Sequence, residues 1–345
     1  MSNTSSNHLR TRITAALAVA GVALGASAAL AQAPISRDAL IKAAKAEGKL
    51  MLYSSSGETQ SKTVLGAFEA EFGIAGSWLR LTTIPLIQRM SAEIEGKDVQ
   101  ADVVSVSTTV PFIEHPEWFV KMTKEYAENL PKWPTRWVSP NYISWTADNF
   151  YLAYNTDQIP VGTHPKTYAE LADPKWKGKI LLTDPRVADN YFGWLDGLEK
   201  ARGADFLRKI AALNATLTPS GASGAQMIAA GAFAINFPTF QDFSAALIEK
   251  KAPIALFAIT EPTLVSERVI AALANSPHPN AARLFMDWIM SENGIKAACK
   301  NKTVAVVADP EGKFGCVIVK DPEPITYILT EERKKQLVKD MGLAN

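Results

Sequence analysis

Between Lys49 and Val106 the chain alternates between short apolar runs and helical patterns, and this alternation limits the fold more than any other feature. Leu50 to Tyr53 is a four-residue run suited to a buried strand. Ser54-Ser55-Ser56-Gly57 follows as a turn, and Val64, Leu65, Phe68 and Phe72 then recur at helical spacing up to Gly73. A second strand is expected over 77–83 and a second helix over 85–95, with Leu86, Ile87, Met90 and Ile94 on one face. A third strand over 99–106 ends in Ser107-Thr108-Thr109. A βαβαβ order of this kind requires crossover connections. It predicts a mostly parallel sheet with helices on both faces.

A second α/β unit follows. Tyr142, Ile143, Trp145, Phe150, Tyr151 and Tyr154 mark one or two strands, with Ala147-Asp148-Asn149 as a turn. Ile180 to Leu182 is a buried strand that ends in Asp184-Pro185-Arg186, and a largely helical stretch spans 190–213. A short strand is expected over 215–220. Phe233 to Phe237 is a further strand, followed by Pro238-Thr239. Strands over 253–259 and 268–273, an amphipathic helix over 280–290 and a charged helix over 331–341 complete the pattern. A chain of 345 residues can bury two such units. The fold class expected is α/β. Two lobes, each a mixed sheet flanked by helices, would face each other across a ligand cleft, since ligands bind beyond the carboxyl ends of parallel strands.

The first 31 residues read as a cleaved export signal. Arg10 and Arg12 precede an alanine-rich, uncharged stretch, and Ala29-Leu30-Ala31 is a small-x-small cleavage site. An exported protein is expected, and two nearby cysteines in such a protein, Cys299 and Cys316, are expected to form a disulfide. A formal net charge of +1 without a basic block offers nucleic acid no electrostatic footprint.

Catalytic signatures are missing. His115, His164 and His278 each precede a proline, and the chain has no zinc pattern, phosphate-binding glycine loop or nucleophile elbow. Hydroxyl and amide groups recur at strand ends instead: Ser54, Ser55, Ser56 and Gly57; Ser107 and Thr108; Asp184 and Arg186; Asn236 and Thr239. Each set can simply cap a helix. Together they can also hold a ligand by hydrogen bonds, with Arg186 as an anion partner and Trp145, Tyr191 and Trp194 as aromatic walls or core.

Several stretches resemble one family. They are the run from Leu40 to Lys49 with Tyr53-Ser54-Ser55, Ala101-Asp102-Val103-Val104, Tyr154-Asn155-Thr156-Asp157, Tyr168 through Lys179, and Pro277-His278-Pro279-Asn280-Ala281-Ala282 before Phe285-Met286-Asp287-Trp288. The chain is similar to periplasmic substrate-binding proteins of ABC importers, in the ferric-iron-binding branch of the extracellular solute-binding proteins. The resemblance implies two lobes closing on one ligand and docking on a membrane permease. It also implies a layout of 32–140 in lobe 1, 141–270 mainly in lobe 2, and 271–345 returning to lobe 1 with the C-terminal helices.

The iron ligands of that branch do not carry over. Its adjacent tyrosine pair falls on Pro238 and Thr239, its histidine near Ser56 and Gly57, and its carboxylate near Ser107. Ferric iron needs anionic oxygen donors, whereas the groups found here are neutral and donor-rich. The function expected is therefore capture of a small anionic solute of carboxylate, phosphonate or sulfonate type, in the periplasm, by a monomer without catalytic residues or cofactor. The candidate ligand-binding residues are Ser54, Ser55, Ser56, Gly57, Ser107, Thr108, Trp145, Arg186, Asn236 and Thr239. An iron carrier with unusual ligands and an exported hydrolase are the alternatives.

Overall fold

The computed structural model describes residues 35–343, so the expected signal over 1–31 lies outside the described residues. The first part of the chain forms α1 (Arg37–Glu47), β1 (Lys49–Ser54), α2 (Glu58–Phe72), β2 (Ala75–Arg80), α3 (Thr83–Glu95), β3 (Val103–Val106), α4 (Val110–Glu114), β4 (Val138–Ser139) and β5 (Tyr142–Asn149). The middle forms β6 (Tyr151–Asn155), α5 (Tyr168–Leu171), β7 (Ile180–Thr183), α6 (Asp189–Arg202), α7 (Ala204–Ala211), β8 (Thr216–Thr218), α8 (Gly221–Ala229), β9 (Ile235–Thr239), α9 (Gln241–Glu249) and β10 (Ile254–Ala258). The last part adds β11 (Leu264–Ala272), α10 (Pro279–Ile289), α11 (Glu292–Cys299), β12 (Glu323–Pro324) and α12 (Glu331–Asp340).

Two mixed sheets result. The first runs β2-β1-β3-β11-β5-β4, with β12 beside β11, and the second runs β10-β6-β9-β7-β8. In the first, β1 pairs parallel with β2 and β3, and β11 is antiparallel to β3 and β5. In the second, β7 is parallel to β8 and β9, and β6 is antiparallel to β9 and β10.

Strand alternation divides the burial between the two faces of the first sheet. Leu50 and Leu52 point to a core with Phe68, Phe285 and Trp288, whereas Tyr53, Val104 and Val106 point to another with Leu86 and Met90. Phe68 holds the first core with edge-on contacts to Phe285 at 5.2 Å and Trp288 at 5.4 Å. In the second lobe, Leu152, Leu182, Trp194 and Phe237 share one face, and Ala153, Leu181, Ala225 and Ile228 share the other.

The structure corrects four sequence expectations. Ala147, Asp148 and Asn149 are not a turn. They are the end of β5, whose partners on β11 include Glu267 for Ala147 and Ser266 for Asp148. Their polarity has another cause, given below. The chain passes to the second sheet at Phe150, so the boundary expected at 141 falls within the first sheet. The helix expected over 190–213 breaks at Gly203, whose φ of 81° suits glycine, giving α6 and α7. The last helix, α12, packs on the second lobe, burying Leu337 and Val338 in its core.

The lobes are joined at Phe150, between β10 and β11, and between β12 and α12. Leu264 belongs to the second core and Val265, its neighbour, to the first. Cys299 and Cys316 are disulfide-bonded, with their Cα atoms 4.4 Å apart. A loop of this length stabilises by ~3 kcal/mol in the chain-entropy account. Among the described residues no helix is long and apolar enough to cross a membrane.

Candidate functional site

The carboxyl ends of β1 and β3 face α6 and α9 of the second lobe, and two direct contacts pin them there. Gly57, the N-cap of α2, donates its N–H to Asp242 Oδ2 at 2.8 Å. Thr108 Oγ1 donates to Asp189 Oδ2 at 3.0 Å, and the other oxygen of Asp189 pairs with Lys334 at 3.2 Å. A Cβ added to Gly57 would lie 2.7 Å from the Asp242 carbonyl oxygen, so only glycine permits this approach. The lobes are therefore closed on each other.

They leave a cavity of about 20 Å³, room for little more than a water molecule, so an organic solute would need the lobes slightly further apart. Ser55, Arg80 and Ser107 line it from the first lobe, Asn190, Tyr191 and Phe243 from the second, and Arg268 from β11. No aspartate or glutamate lines it.

The two arginines define its electrostatics. Arg80 sits at the end of β2, donates from Nε to the Ser56 carbonyl at 3.3 Å, and lies 5.4 Å over the Phe243 ring across the cleft. Its Nη2 is buried without a partner. Arg268 is 2% exposed, with Nη1 3.5 Å from Asp148 and Nη2 3.7 Å from Asp242. Both pairs are long, and Arg268 Nε has no partner. Ser55 Oγ and Asn190 Oδ1 are also buried and unpartnered. Buried polar atoms in native proteins are paired as a rule, so these orphans, with Asp242 Oδ1 near Arg268, mark the cavity as the candidate site.

Asp148 explains the polar end of β5. It accepts from Thr146 Oγ1 at 2.6 Å and from the Ala305 N–H at 2.9 Å besides facing Arg268. Burial pushes its carboxyl up to about 6, against the lowering effect of Arg268, Thr146 and Ala305 and with a further push from Asp242. Burial and nearby Asp242 likewise raise the Tyr191 phenol, although Arg80 and Arg268 oppose them.

The residues nominated from sequence separate into three groups. Ser55 and Ser107 line the cavity. Ser54, Ser56 and Trp145 lie behind it around a smaller void inside lobe 1. There Ser54 Oγ accepts from the Ser56 N–H, and the Trp145 indole donates to Ser105 Oγ at 3.1 Å. Gly57 and Thr108 join the lobes, while Asn236 and Thr239 are fully buried in β9. Arg186 is bound to Asp184 through Nε and Nη2, each at 2.8 Å, and does not line the cavity. Tyr191 lines the cavity, and Trp194 is core. Sequence reasoning did not single out Arg80, Asn190 or Arg268. The readable signal for Arg268 is a lone cation entering the apolar run Val269 to Leu273, where burial demands a partner.

Among the described residues, the one grouping of three metal-capable side chains is Cys299, Asp309 and Cys316, and its cysteines form the disulfide.

Comparison with known proteins agrees with this architecture. A thiamine-binding periplasmic protein of Salmonella typhimurium is 25% identical over 257 residues, covering 71% of this chain and 76% of that protein. The substrate-binding protein of an ABC transporter from Agrobacterium tumefaciens superposes with a TM-score of 0.74 at 15% identity, covering 85% of this chain and 93% of that one. Iron-bound HitA of Pseudomonas aeruginosa superposes with a TM-score of 0.63 at 21% identity, covering 86% and 99%. At these identities the structures establish the two-lobed fold and leave the ligand open. The family profile for bacterial extracellular solute-binding proteins matches residues 101–315, more than half of the chain, and the protein belongs to that family.

Proposed function

We propose that the protein is a periplasmic carrier that closes on a small anionic solute and hands it, unchanged, to the permease of an ABC importer. One observation carries the reading. Half-buried Arg80 and buried Arg268 line a cavity whose wall has no carboxylate, and each keeps one buried nitrogen, Nη2 and Nε, without a partner. Charge-assisted hydrogen bonds from guanidinium to a carboxylate, phosphonate or sulfonate are among the strongest available in a protein. Ser55 and Ser107 supply hydroxyls beside them. Ser54, Ser56 and Thr108 shape the turns that bring these groups forward, with Gly57 allowing the close approach. Asn236 and Thr239 support the second lobe's strand end, and Trp145 supports the first. The residues in the cavity wall have no nucleophile–base pair arranged for hydrolysis.

The iron reading is less well supported. Ferric iron needs anionic oxygen donors. The one phenol in the wall, Tyr191, is held in its neutral form by burial and stands near two arginines.

Native mass spectrometry of the mature protein, with metal analysis on the same sample, tests the reading. An oxyanion or organic-acid adduct without iron is expected. One iron per chain would overturn it.

Binding should also be linked to protons. An anion beside Arg268 takes up part of the positive charge that now favours the ionised Asp148, so the carboxyl moves above about 6 on binding. By linkage the affinity is constant below about pH 6 and weakens as pH rises above it. Titration calorimetry in buffers of different protonation heat should show proton uptake, and Asp148→Asn should abolish it. Equal heats in all buffers for the wild type would remove Asp148 from the linkage.

A further inference from the structure

We infer that the cleft selects a compact oxyanion carrying its own hydrogen-bond donor, read by Asn190; this deepens, and rests on, the anionic-solute reading. Asn190 stands in the first turn of α6, 2% exposed, and lines the cavity. Its amide orientation follows from the surrounding network rather than from the side chain alone. Tyr327 Oη donates its one proton to the Glu267 carbonyl at 2.7 Å. With Tyr327 held on Glu267, the Ser266 hydroxyl has the phenolic oxygen at 3.3 Å and the Glu267 carbonyl at 3.5 Å to donate to. Ser266 Oγ is left as an acceptor, and Asn190 Nδ2 fills it at 3.2 Å. The opposite amide orientation would turn the serine proton toward Asn190 and leave the Ser266 and Tyr327 oxygens facing each other without a proton between them. The short Tyr327–Glu267 bond therefore favours Nδ2 on Ser266, which leaves Oδ1 buried with no donor.

An acceptor at the wall of a cavity that two arginines also enter sets a two-part requirement. The arginine nitrogens need a negative oxygen, and Asn190 Oδ1 needs an O–H or N–H. A plain carboxylate or sulfonate satisfies the first and faces the second with another lone pair. Such a mismatch in a dry site costs the full desolvation of the amide oxygen, which discriminates more strongly than a missing methylene does. The small cavity places the donor within a few bonds of the anionic group. With two arginines and no carboxylate in the wall, a hydroxyl fits better than an ammonium.

Isosteric probes isolate the donor. 1-Propanesulfonate, isethionate and taurine have the same number of heavy atoms and differ at one end. Butyrate, 3-hydroxypropionate and β-alanine form the matching carboxylate series. Calorimetry on the mature wild-type protein should show the hydroxyl member of at least one series binding at least tenfold tighter than the methyl member. If the amino member ranks above the methyl member instead, the inference holds and the donor is an ammonium. Asn190→Leu should bring the members of that series to a common affinity. Ser266→Ala, which frees the amide to rotate, should narrow the preference without deleting the amide. Binding of all members with equal affinity would overturn the role of Asn190 and leave the anion reading intact. So would a preference that survives Asn190→Leu. Failure of all six probes to bind would overturn both.

Discussion

Replacing Arg268 with methionine is expected to weaken anion binding roughly 100-fold, the scale of one lost charge-assisted hydrogen bond in a dry site. The same change leaves Asp148 and Asp242 facing each other without the cation between them. Removing one partner from a buried ionic group costs about 3–5 kcal/mol, because the remaining charge stays desolvated. The pH dependence gives this loss a signature. Asp148 already has its carboxyl raised to about 6 with Arg268 in place. A carboxyl raised in the folded state penalises folding above that pH, and the penalty is relieved as pH falls toward its ordinary range near 3.8. Without Arg268 the carboxyl rises further. The destabilisation of Arg268→Met should therefore be larger at pH 8 than at pH 5.5. Urea unfolding at the two pH values reads this directly. Asp148→Asn in the Arg268→Met background should restore part of the stability and none of the binding. Recovery of affinity in the double variant would show that Arg268 acts on the ligand only through the fold.

Gly57→Ala is the second large effect, and it should separate closure from folding. Gly57 has φ −61° and ψ 150°, which any residue adopts, so alanine introduces no backbone strain. Its Cβ meets the Asp242 carbonyl oxygen at 2.7 Å only while the lobes are together. The penalty thus falls on the closed state alone. A ligand that binds the closed state loses affinity by the factor that state is disfavoured, about 10- to 100-fold for ~1.4–2.8 kcal/mol. The melting midpoint of the free protein should change little, while the ligand-induced compaction seen by small-angle scattering should shrink. Gly57→Val should do more. A large fall in the free protein's melting midpoint would instead show that the lobes hold together without ligand.

Most of the secondary structure was legible because burial writes a period into the sequence. Leu50 and Leu52 alternate with Tyr53 across one sheet, and Leu86 and Met90 recur at helical spacing. Legibility failed where a residue's role depends on a partner that the local pattern does not show. Ala147-Asp148-Asn149 has turn-like composition, yet Asp148 is polar because Arg268 lies beside it. Arg186 looked suited to an anion because it follows a strand, but Asp184, two residues earlier, takes its guanidinium. Arg80 and Arg268 were not singled out, since their significance depends on Phe243, Asp148 and Asp242 elsewhere in the sequence. The disulfide was legible from two cysteines in an exported chain. The placement of α12 on the second lobe was not, since charged Glu331 to Asp340 shows little of the face that buries Leu337 and Val338.

The three joins between the lobes have a mechanical consequence. A single strap would allow rotation about any direction, and two would still allow torsion. Three straps, at Phe150, at the entry to β11 and after β12, restrict the lobes to swinging about a shared axis. Arg268 lies four residues past the start of β11, close to that axis, and so travels little as the lobes part. Arg80 and Asn190, set out on opposite lobes, travel further. An incoming anion would then meet a nearly stationary cation first, with the two moving groups arriving along fixed arcs to complete its coordination.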